Sequence, residues 1–176
     1  MNIRENHKIL IKHHPHYQSL NKKLIEDSNK AEYSRERNNC ISAEMTGYRI
    51  SSKSIDLVLD WIDQLVYNDW GYERQSYKMD ILDAWFVRYD KGNQTISHHH
   101  RLNILSFVYF VDCPRGSSPL VFSTSGKRIK AEEGKLVLFP GNLLHHVPKN
   151  GSKGRLVLAG NIFFSPIQRT PVKKIL

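Results

Sequence analysis

The sequence has few cysteines and no long apolar run, and both absences narrow the classes of protein it can encode. Its two cysteines, Cys40 and Cys113, are far apart and form no CxxC pair, so neither a disulfide framework nor a thiolate zinc site is indicated. The longest apolar runs, such as FVYFV, are far shorter than the ~20 residues that a membrane helix needs. The N-terminus has no apolar block typical of a signal peptide. We therefore expect a soluble protein of a reducing cytoplasm.

A dense basic arm is also absent, although the chain is basic. Lysine and arginine total 26 against 17 acidic residues, which gives a net charge of +9. The basic residues are dispersed in short groups (NKK, RER, GKRIK and VKK), and no zinc-finger or RNP-type motif accompanies them. We expect at most weak, non-specific binding of nucleic acid, whereas an acidic small ligand is compatible with the charge.

The 176 residues fit a single domain, 1–176, with a helical N-terminal region over about 1–80. A first helix is predicted over about 17–35, where leucine and isoleucine recur on one face. A second is predicted over about 53–68, where six apolar residues follow a serine cluster at helical spacing.

From about residue 81 the sequence changes to short β-rich runs separated by turn residues. The runs are DAWFVRYD, QTISHHHRLN, LSFVYFVD, PLVFST, KRIKAEEGKLVLFPG, LLHHVPK and RLVLAGNIFFS. Evenly spaced short strands predict an antiparallel sandwich or barrel. We expect a mainly β core over about 81–166, followed by a tail at 167–176.

Histidines and one arginine are the candidate functional residues. In a strand, residues two apart point to the same side, so His98 and His100 would project together and His99 away from them. His145 comes later, and Arg155 follows it by ten residues across the turn KNGSKG. Imidazole nitrogens suit iron, zinc, copper or nickel, and a guanidinium grips a carboxylate at two points. This pattern indicates a metal site combined with an acid-binding site.

Three segments resemble the Fe(II)/2-oxoglutarate-dependent oxygenases, and more closely a small subfamily of them from marine bacteria and phages. They are AWFVRYDKGNQTISHHHRLNILSFVYFV, GKLVLFPGNLLHHVPKNGSKGRLVLAGN and the shorter SLNKKL. The likeness covers about residues 18–165 and is most specific over 85–161. It implies a double-stranded β-helix (jelly-roll or cupin-like barrel) with the helical region packed on it. For a phage-encoded protein, the compartment would be the host cytoplasm.

The resemblance also implies a set of site residues. His98 would take the first metal-ligand position, His100 the position usually held by a carboxylate, and His145 that of the distal histidine. Arg155 would bind the far carboxylate of 2-oxoglutarate, and Tyr89 would contact the same cosubstrate. The implied cofactors are Fe(II) and 2-oxoglutarate, and O2 is the second substrate. The implied reaction is hydroxylation or a related oxidation of a prime substrate that the sequence does not identify.

Two positions depart from the family pattern. His100 replaces a carboxylate, so the metal would have three histidines and no anionic protein ligand. Val157 stands two residues beyond the arginine, where many relatives have a serine that helps to bind the cosubstrate. The candidates for completing that binding are Ser106, Tyr109 and Asn161.

Two alternatives follow from the same residues. The first is a three-histidine cupin-like dioxygenase that does not use 2-oxoglutarate, which His100 favours and Arg155 disfavours. The second is a basic β-barrel without catalytic activity that binds an acidic ligand or nucleic acid. We expect His13, His14 and His16 to be solvated, and His99 and His146 to face away from the metal or line the rim.

Overall fold

The computed structural model describes residues 7–36, 38, 40–74 and 76–166, so the tail expected at 167–176 lies outside the described residues. The helices are α1 (Tyr17–Lys30) and α2 (Lys53–Leu65), and α2 continues into a π-helical turn at Val66–Trp70. The strands are β1 (Leu10–His13), β2 (Glu44–Met45), β3 (Tyr77–Tyr89), β4 (Thr95–His98), β5 (Leu105–Asp112), β6 (Leu120–Phe122), β7 (Arg128–Ile129), β8 (Lys135–Pro140), β9 (His145–Val147) and β10 (Arg155–Pro166).

Two antiparallel sheets form the core. The larger sheet has six strands in the order β1-β8-β5-β10-β3-β2, and the smaller has four in the order β4-β9-β6-β7. Strands that are distant in sequence are neighbours in both sheets, as in a jelly roll. The prediction of an antiparallel mainly β core is confirmed.

The central strands of the larger sheet are buried on both faces. On β5, Tyr109 and Val111 belong to the apolar cluster on the helix side, whereas Val108 and Phe110 belong to the cluster between the two sheets. Strand β10 divides in the same way, as the alternation of a strand requires. Two residues of one strand that are an odd number of positions apart therefore belong to different apolar clusters, one on each face of the sheet.

The second predicted helix is confirmed, and the first is shorter than expected. In α2 the apolar positions Ile55, Val58 and Ile62 are buried, and the Ser52 hydroxyl caps the helix by accepting from the Ile55 N–H at 3.3 Å. The α1 helix ends at Lys30 rather than near residue 35, because its apolar stripe ends before that point and Ala31 is extended. In the described part of the chain, no helix is long and apolar enough to cross a membrane.

The N-terminal region is not purely helical. Strand β1 joins the edge of the larger sheet, where Leu10 pairs with Leu138 and His13 with Lys135. Strand β1 has only four residues, and its partner lies more than a hundred residues away. That distance explains why local patterning did not predict it.

Candidate active site

Two of the three candidate metal ligands lie on adjacent strands of the smaller sheet. Strand β4 ends at His98 and β9 begins at His145, and the two residues are direct partners in the antiparallel ladder. Directly opposed residues project from the same side of a sheet, and the two ring centroids are 4.4 Å apart. The pairing of β4 with β9 therefore brings together histidines that are far apart in sequence.

His100 lies beyond the end of β4, in the loop that leads to β5. Its backbone N–H donates to the carbonyl oxygen of Gly141 at 2.6 Å, and its own carbonyl accepts from the Asn103 N–H at 2.8 Å. A Cβ atom on Gly141 would lie 2.7 Å from the His100 carbonyl oxygen and would also clash with that of Asn103. Glycine at 141 thus allows the close approach that fixes the loop. The sequence placed Gly141 only at the end of the β-rich run KRIKAEEGKLVLFPG.

The three rings converge, as the alternation of His98 and His100 predicts. Each histidine offers one ring nitrogen, and these nitrogens all lie within 4.8 Å of one another. Nδ1 of His98 contacts the Ile96 carbonyl oxygen at 3.0 Å, and Nδ1 of His145 contacts that of Leu143 at 2.9 Å. Because a carbonyl oxygen can only accept, both Nδ1 atoms have the proton. The Nε2 lone pairs of these two residues are therefore free to bind a metal.

The histidines are neutral at ordinary pH. Burial lowers the pKa of His145 to about 3 and that of His100 to about 4, and it lowers the pKa of His98 as well. Charge repulsion between the rings adds to the effect. Neutral imidazole is the form that coordinates a metal, so the site needs to lose no proton to bind one.

Arg155 points into the same pocket and is only 1% exposed. Its Nε and Nη1 atoms are buried without a hydrogen-bond partner. The guanidinium carbon lies 4.5 Å from the ring centroid of Tyr89, its direct partner on β3, and 5.4 Å from that of Phe110. The faces of aromatic rings stabilise a buried cation electrostatically, but less than an anionic partner would. Burial accordingly lowers the pKa of Arg155, and a buried guanidinium with two unpaired nitrogens calls for an anionic partner.

Three further predicted residues lie at or beside this pocket. Tyr89 and Ser106 line it. The Tyr89 hydroxyl shares a 2.6 Å hydrogen bond with Oγ1 of Thr95. Ser106 Oγ donates to Oδ1 of Asn161 at 3.0 Å, so these two side chains form a pair on neighbouring strands. Of this pair, only Ser106 lines the pocket.

The assignment of Tyr109 to the cosubstrate site is wrong. Its side chain belongs to the apolar cluster beside the helices, and its hydroxyl donates to Oδ1 of Asn21 in α1 at 2.8 Å. Tyr109 is three residues from Ser106 on the same strand, and an odd spacing places two side chains on opposite faces. Tyr109 therefore joins the sheet to α1.

The neighbouring histidines differ from the three converging ones. His146 contacts Oγ of Ser123 through Nδ1 at 2.8 Å, on the other face of β9 from His145. His99 is not a member of the three-histidine group. In the N-terminal region, His14 is less solvated than expected, since its ring packs edge-on against Trp61 at 4.9 Å between centroids.

Apolar residues make up most of the remaining wall and the rim. Trp85, Phe139 and Val147 line the pocket. Outside it, large apolar side chains beside the ligands are exposed to solvent: Ile96, Leu144 and Leu102, the last of them 89% exposed. Exposed apolar side chains thus lie within two residues of each metal ligand along the chain.

The residues of this pocket fit a metal ion together with an anionic ligand. Three neutral nitrogen donors suit a divalent transition metal. The unpaired guanidinium in the same pocket suits a carboxylate, because its N–H groups match the two carboxylate oxygens.

The comparisons with known proteins identify the fold. No protein-family model matches the chain, and no curated protein matches it. Among solved structures it is similar to a prolyl-4-hydroxylase from Pseudomonas putida, with 19% identity over 89% of this chain and 92% of the other, and a TM-score of 0.69. It is also similar to a viral collagen prolyl hydroxylase from Paramecium bursaria Chlorella virus-1 in complex with 2-oxoglutarate. The identity is 14% over 88% of this chain and 94% of the other, and the TM-score is 0.67.

A third similar structure is HygX from Streptomyces hygroscopicus with nickel, 2-oxoglutarate and hygromycin B bound (12% identity, 88% of this chain and 82% of the other, TM-score 0.65). At such identities the likeness establishes the fold alone. The chain has the double-stranded β-helix fold of these oxygenases, which confirms the expected fold class.

Proposed function

We propose that the protein is an Fe(II)/2-oxoglutarate-dependent oxygenase of the hydroxylase type. One observation carries the proposal: a buried arginine with two unpaired nitrogens shares a pocket with three converging histidines. Structures of the same fold contain 2-oxoglutarate, or nickel and 2-oxoglutarate, which agrees with this combination. The proposal gives a ligand to both parts of the pocket: a metal ion to the three histidines and a carboxylate to the arginine.

The histidines would hold the metal through their ring nitrogens. The carbonyl oxygens of Ile96 and Leu143 fix the rings of His98 and His145 by accepting from Nδ1, so that Nε2 faces the ion. Bound iron would supply oxidation by O2 coupled to the decarboxylation of 2-oxoglutarate to succinate. The contribution of the chain is to bind and orient the reactants and to exclude water.

Arg155 would bind the carboxylate of 2-oxoglutarate that is remote from the metal. Its desolvated guanidinium has no carboxylate partner in the described part of the chain, so a ligand carboxylate would satisfy it. Tyr89 stacks against the guanidinium and holds it in place. Ser106 and Asn161 would complete the polar side of the cosubstrate site in place of the serine that Val157 replaces.

The prime substrate would approach over exposed apolar side chains that lie close to the metal ligands in sequence. The exposed side chains of Ile96, Leu102 and Leu144 are each within two residues of a metal ligand. Surface of this kind favours a substrate that presents an apolar group, because the contact removes apolar area from water. We expect nucleic-acid binding to be at most weak and salt-dependent, since the positive charge is dispersed along the chain.

The finer assignments belong to the same proposal. We place the chain near the small oxygenase subfamily from marine bacteria and phages, on the strength of the motifs over residues 85–161. We take the chain as one domain, in which α1 and α2 pack on the larger sheet. The two free cysteines agree with a reducing, cytoplasmic compartment.

A three-histidine dioxygenase that needs no 2-oxoglutarate is the second candidate. The ligand set His98, His100 and His145 favours it, because it contains no carboxylate. The buried Arg155 disfavours it, because that mechanism gives the guanidinium no anionic partner.

Binding of 2-oxoglutarate tests the proposal directly. Equilibrium dialysis of labelled 2-oxoglutarate should show binding to the wild type only when Co(II) or anaerobic Fe(II) is present, and His98→Ala should abolish it. In air, the Fe(II) protein should also release succinate slowly without a prime substrate. Equal binding with and without metal would instead indicate an anion-binding barrel. Tight metal binding without any binding of 2-oxoglutarate would indicate the three-histidine dioxygenase.

A further inference from the structure

Among the residues that the structure describes, none that lines the pocket shared by Arg155 and the three histidines is acidic. The polar groups of the wall are neutral hydroxyls, such as those of Thr95 and Ser106. The only candidate metal-binding group in the described part of the chain is the three histidines themselves, without a carboxylate. The protein therefore provides no negative charge where the metal would bind.

The positive charges in the pocket would be uncompensated when a metal binds alone. A divalent ion on three neutral imidazoles keeps both of its charges, and buried Arg155 adds a third. Cys113 is near enough to affect the guanidinium electrostatically, but burial raises the pKa of this thiol to about 12 and keeps it protonated. Like charges in a desolvated pocket repel one another strongly.

We propose that His100, by completing a ligand set without a carboxylate, makes tight metal retention depend on a bound dianion. This inference rests on the proposed function, with 2-oxoglutarate as the dianion. One carboxylate of 2-oxoglutarate would offset charge at the metal and the other at Arg155. Metal and cosubstrate then bind as a unit, and the metal alone binds weakly.

The dependence is reciprocal by thermodynamic linkage. If 2-oxoglutarate raises the affinity for the metal by some factor, the metal raises the affinity for 2-oxoglutarate by the same factor. A carboxylate at position 100 would offset part of the charge permanently. It should strengthen binding of the metal alone and reduce that factor.

Titration with Co(II) measures this coupling without any turnover. The Co(II) dissociation constant is determined from d–d absorption or quenching of tryptophan fluorescence, with and without 2-oxoglutarate, and corrected for Co(II) bound to 2-oxoglutarate in solution. In the wild type, 2-oxoglutarate should tighten Co(II) by about 10-fold or more. His100→Asp, and the longer His100→Glu, should bind Co(II) alone more tightly and show a clearly smaller factor.

His146→Asp is the matched control. It makes the same change of charge beside a ligand, but on the face of β9 that contacts Ser123. This variant should keep the wild-type factor. If it lost the coupling as His100→Asp does, the effect would be one of net charge and the inference would be wrong.

A comparison within the wild type keeps the test valid if both His100 variants fail to fold. The monoanion 2-oxopentanoate has the keto-acid end of 2-oxoglutarate but no second carboxylate, so Arg155 stays uncompensated. It should tighten Co(II) much less than 2-oxoglutarate does.

The outcomes separate this inference from the proposed function. Equal coupling by the two keto acids, or equal coupling in the wild type and folded His100→Asp, would overturn the inference while leaving an oxygenase that binds 2-oxoglutarate. Failure of 2-oxoglutarate to bind the Co(II) protein at all would overturn both.

Discussion

His98 and His145 are direct partners across the β4–β9 ladder, and their ring centroids are 4.4 Å apart. The pairing places two ligands on one face of the smaller sheet, and His100 reaches the same point from the adjoining loop. The residues that follow them in sequence, His99 and His146, lie outside this group.

Substitution of His145 should therefore differ sharply from substitution of its neighbour. His145→Ala removes a nitrogen donor and should weaken Co(II) binding by about 100-fold or more. His146→Ala and His99→Ala should leave the affinity nearly unchanged. Titration of these three variants and of His98→Ala checks this, and equal losses in His98→Ala and His99→Ala would show that the strand register is wrong.

Gly141 should prove necessary for the position of His100. In Gly141→Ala, the new Cβ would lie 2.7 Å from the His100 carbonyl oxygen, so the loop must move. We expect about 1–3 kcal/mol of lost stability and a weaker affinity for Co(II). Asn142→Ala, at the exposed next residue of the same turn, is the control. An unchanged Co(II) affinity in a folded Gly141→Ala protein would contradict this role of the loop.

The stability of the metal-free protein should fall as the medium becomes mildly acidic. The folded pKa of His145 is about 3 and that of His100 about 4, both below the ordinary 6.5. Between these values the unfolded chain binds more protons, so the free energy of unfolding decreases as the pH falls below 6.5.

The contribution of one histidine can be isolated with His145→Asn. That variant should lose less stability than the wild type between pH 6.5 and 5, by at most about 1.4 kcal/mol per pH unit. Urea unfolding at several pH values in the presence of a chelator measures the difference. Parallel curves for the two proteins would mean that His145 is protonated as easily in the folded state as in the unfolded one.

Tyr109 should matter for stability and not for 2-oxoglutarate. Its hydroxyl donates to the Asn21 side chain within the helix-side cluster. Tyr109→Phe leaves that buried acceptor short of a donor and should cost about 1–3 kcal/mol. The affinity of the metal-loaded protein for 2-oxoglutarate should stay at the wild-type value. A large loss of that affinity would place Tyr109 at the pocket after all.

Much of the fold and of the site could be predicted from local patterns. The serine cap and apolar periodicity of α2 are local features, and so are the short strands with their turns. The alternation of His98 and His100 predicts correctly that the two side chains converge, but β4 ends at His98, so loop contacts and not strand alternation place His100. The ten-residue interval between His145 and Arg155 suggests neighbouring antiparallel strands, but β9 belongs to the smaller sheet and β10 to the larger one. The two side chains instead line the same pocket from different sheets.

The features that were missed depend on partners that are distant in sequence or on backbone contacts. Strand β1 is recognisable only beside β8, and Gly141 only beside the carbonyl oxygens of the His100 loop. The error in assigning Tyr109 is of another kind. Its odd spacing from Ser106 in the sequence already excludes that both side chains face the same pocket. Strand parity alone would have corrected that assignment.

The central claim is that Arg155 binds a carboxylate of 2-oxoglutarate, and one titration tests it most directly. Labelled 2-oxoglutarate is titrated into the Co(II)-saturated wild type, Arg155→Ala, Arg155→Lys and, as a control, Arg88→Ala. Arg88 also stacks on a tyrosine, at 4.4 Å from the Tyr33 centroid, but it hydrogen-bonds to the α1 side chains Ser28 and Asn29.

We predict that Arg155→Ala weakens 2-oxoglutarate binding by about 100-fold, which corresponds to a lost charge-assisted contact of about 3 kcal/mol. Arg155→Lys should recover only part of the loss, because an ammonium is a single point charge. Arg88→Ala should bind as the wild type does. Equal affinities in the wild type and a folded Arg155→Ala protein would contradict the claim and leave a three-histidine metal barrel without an assigned cosubstrate.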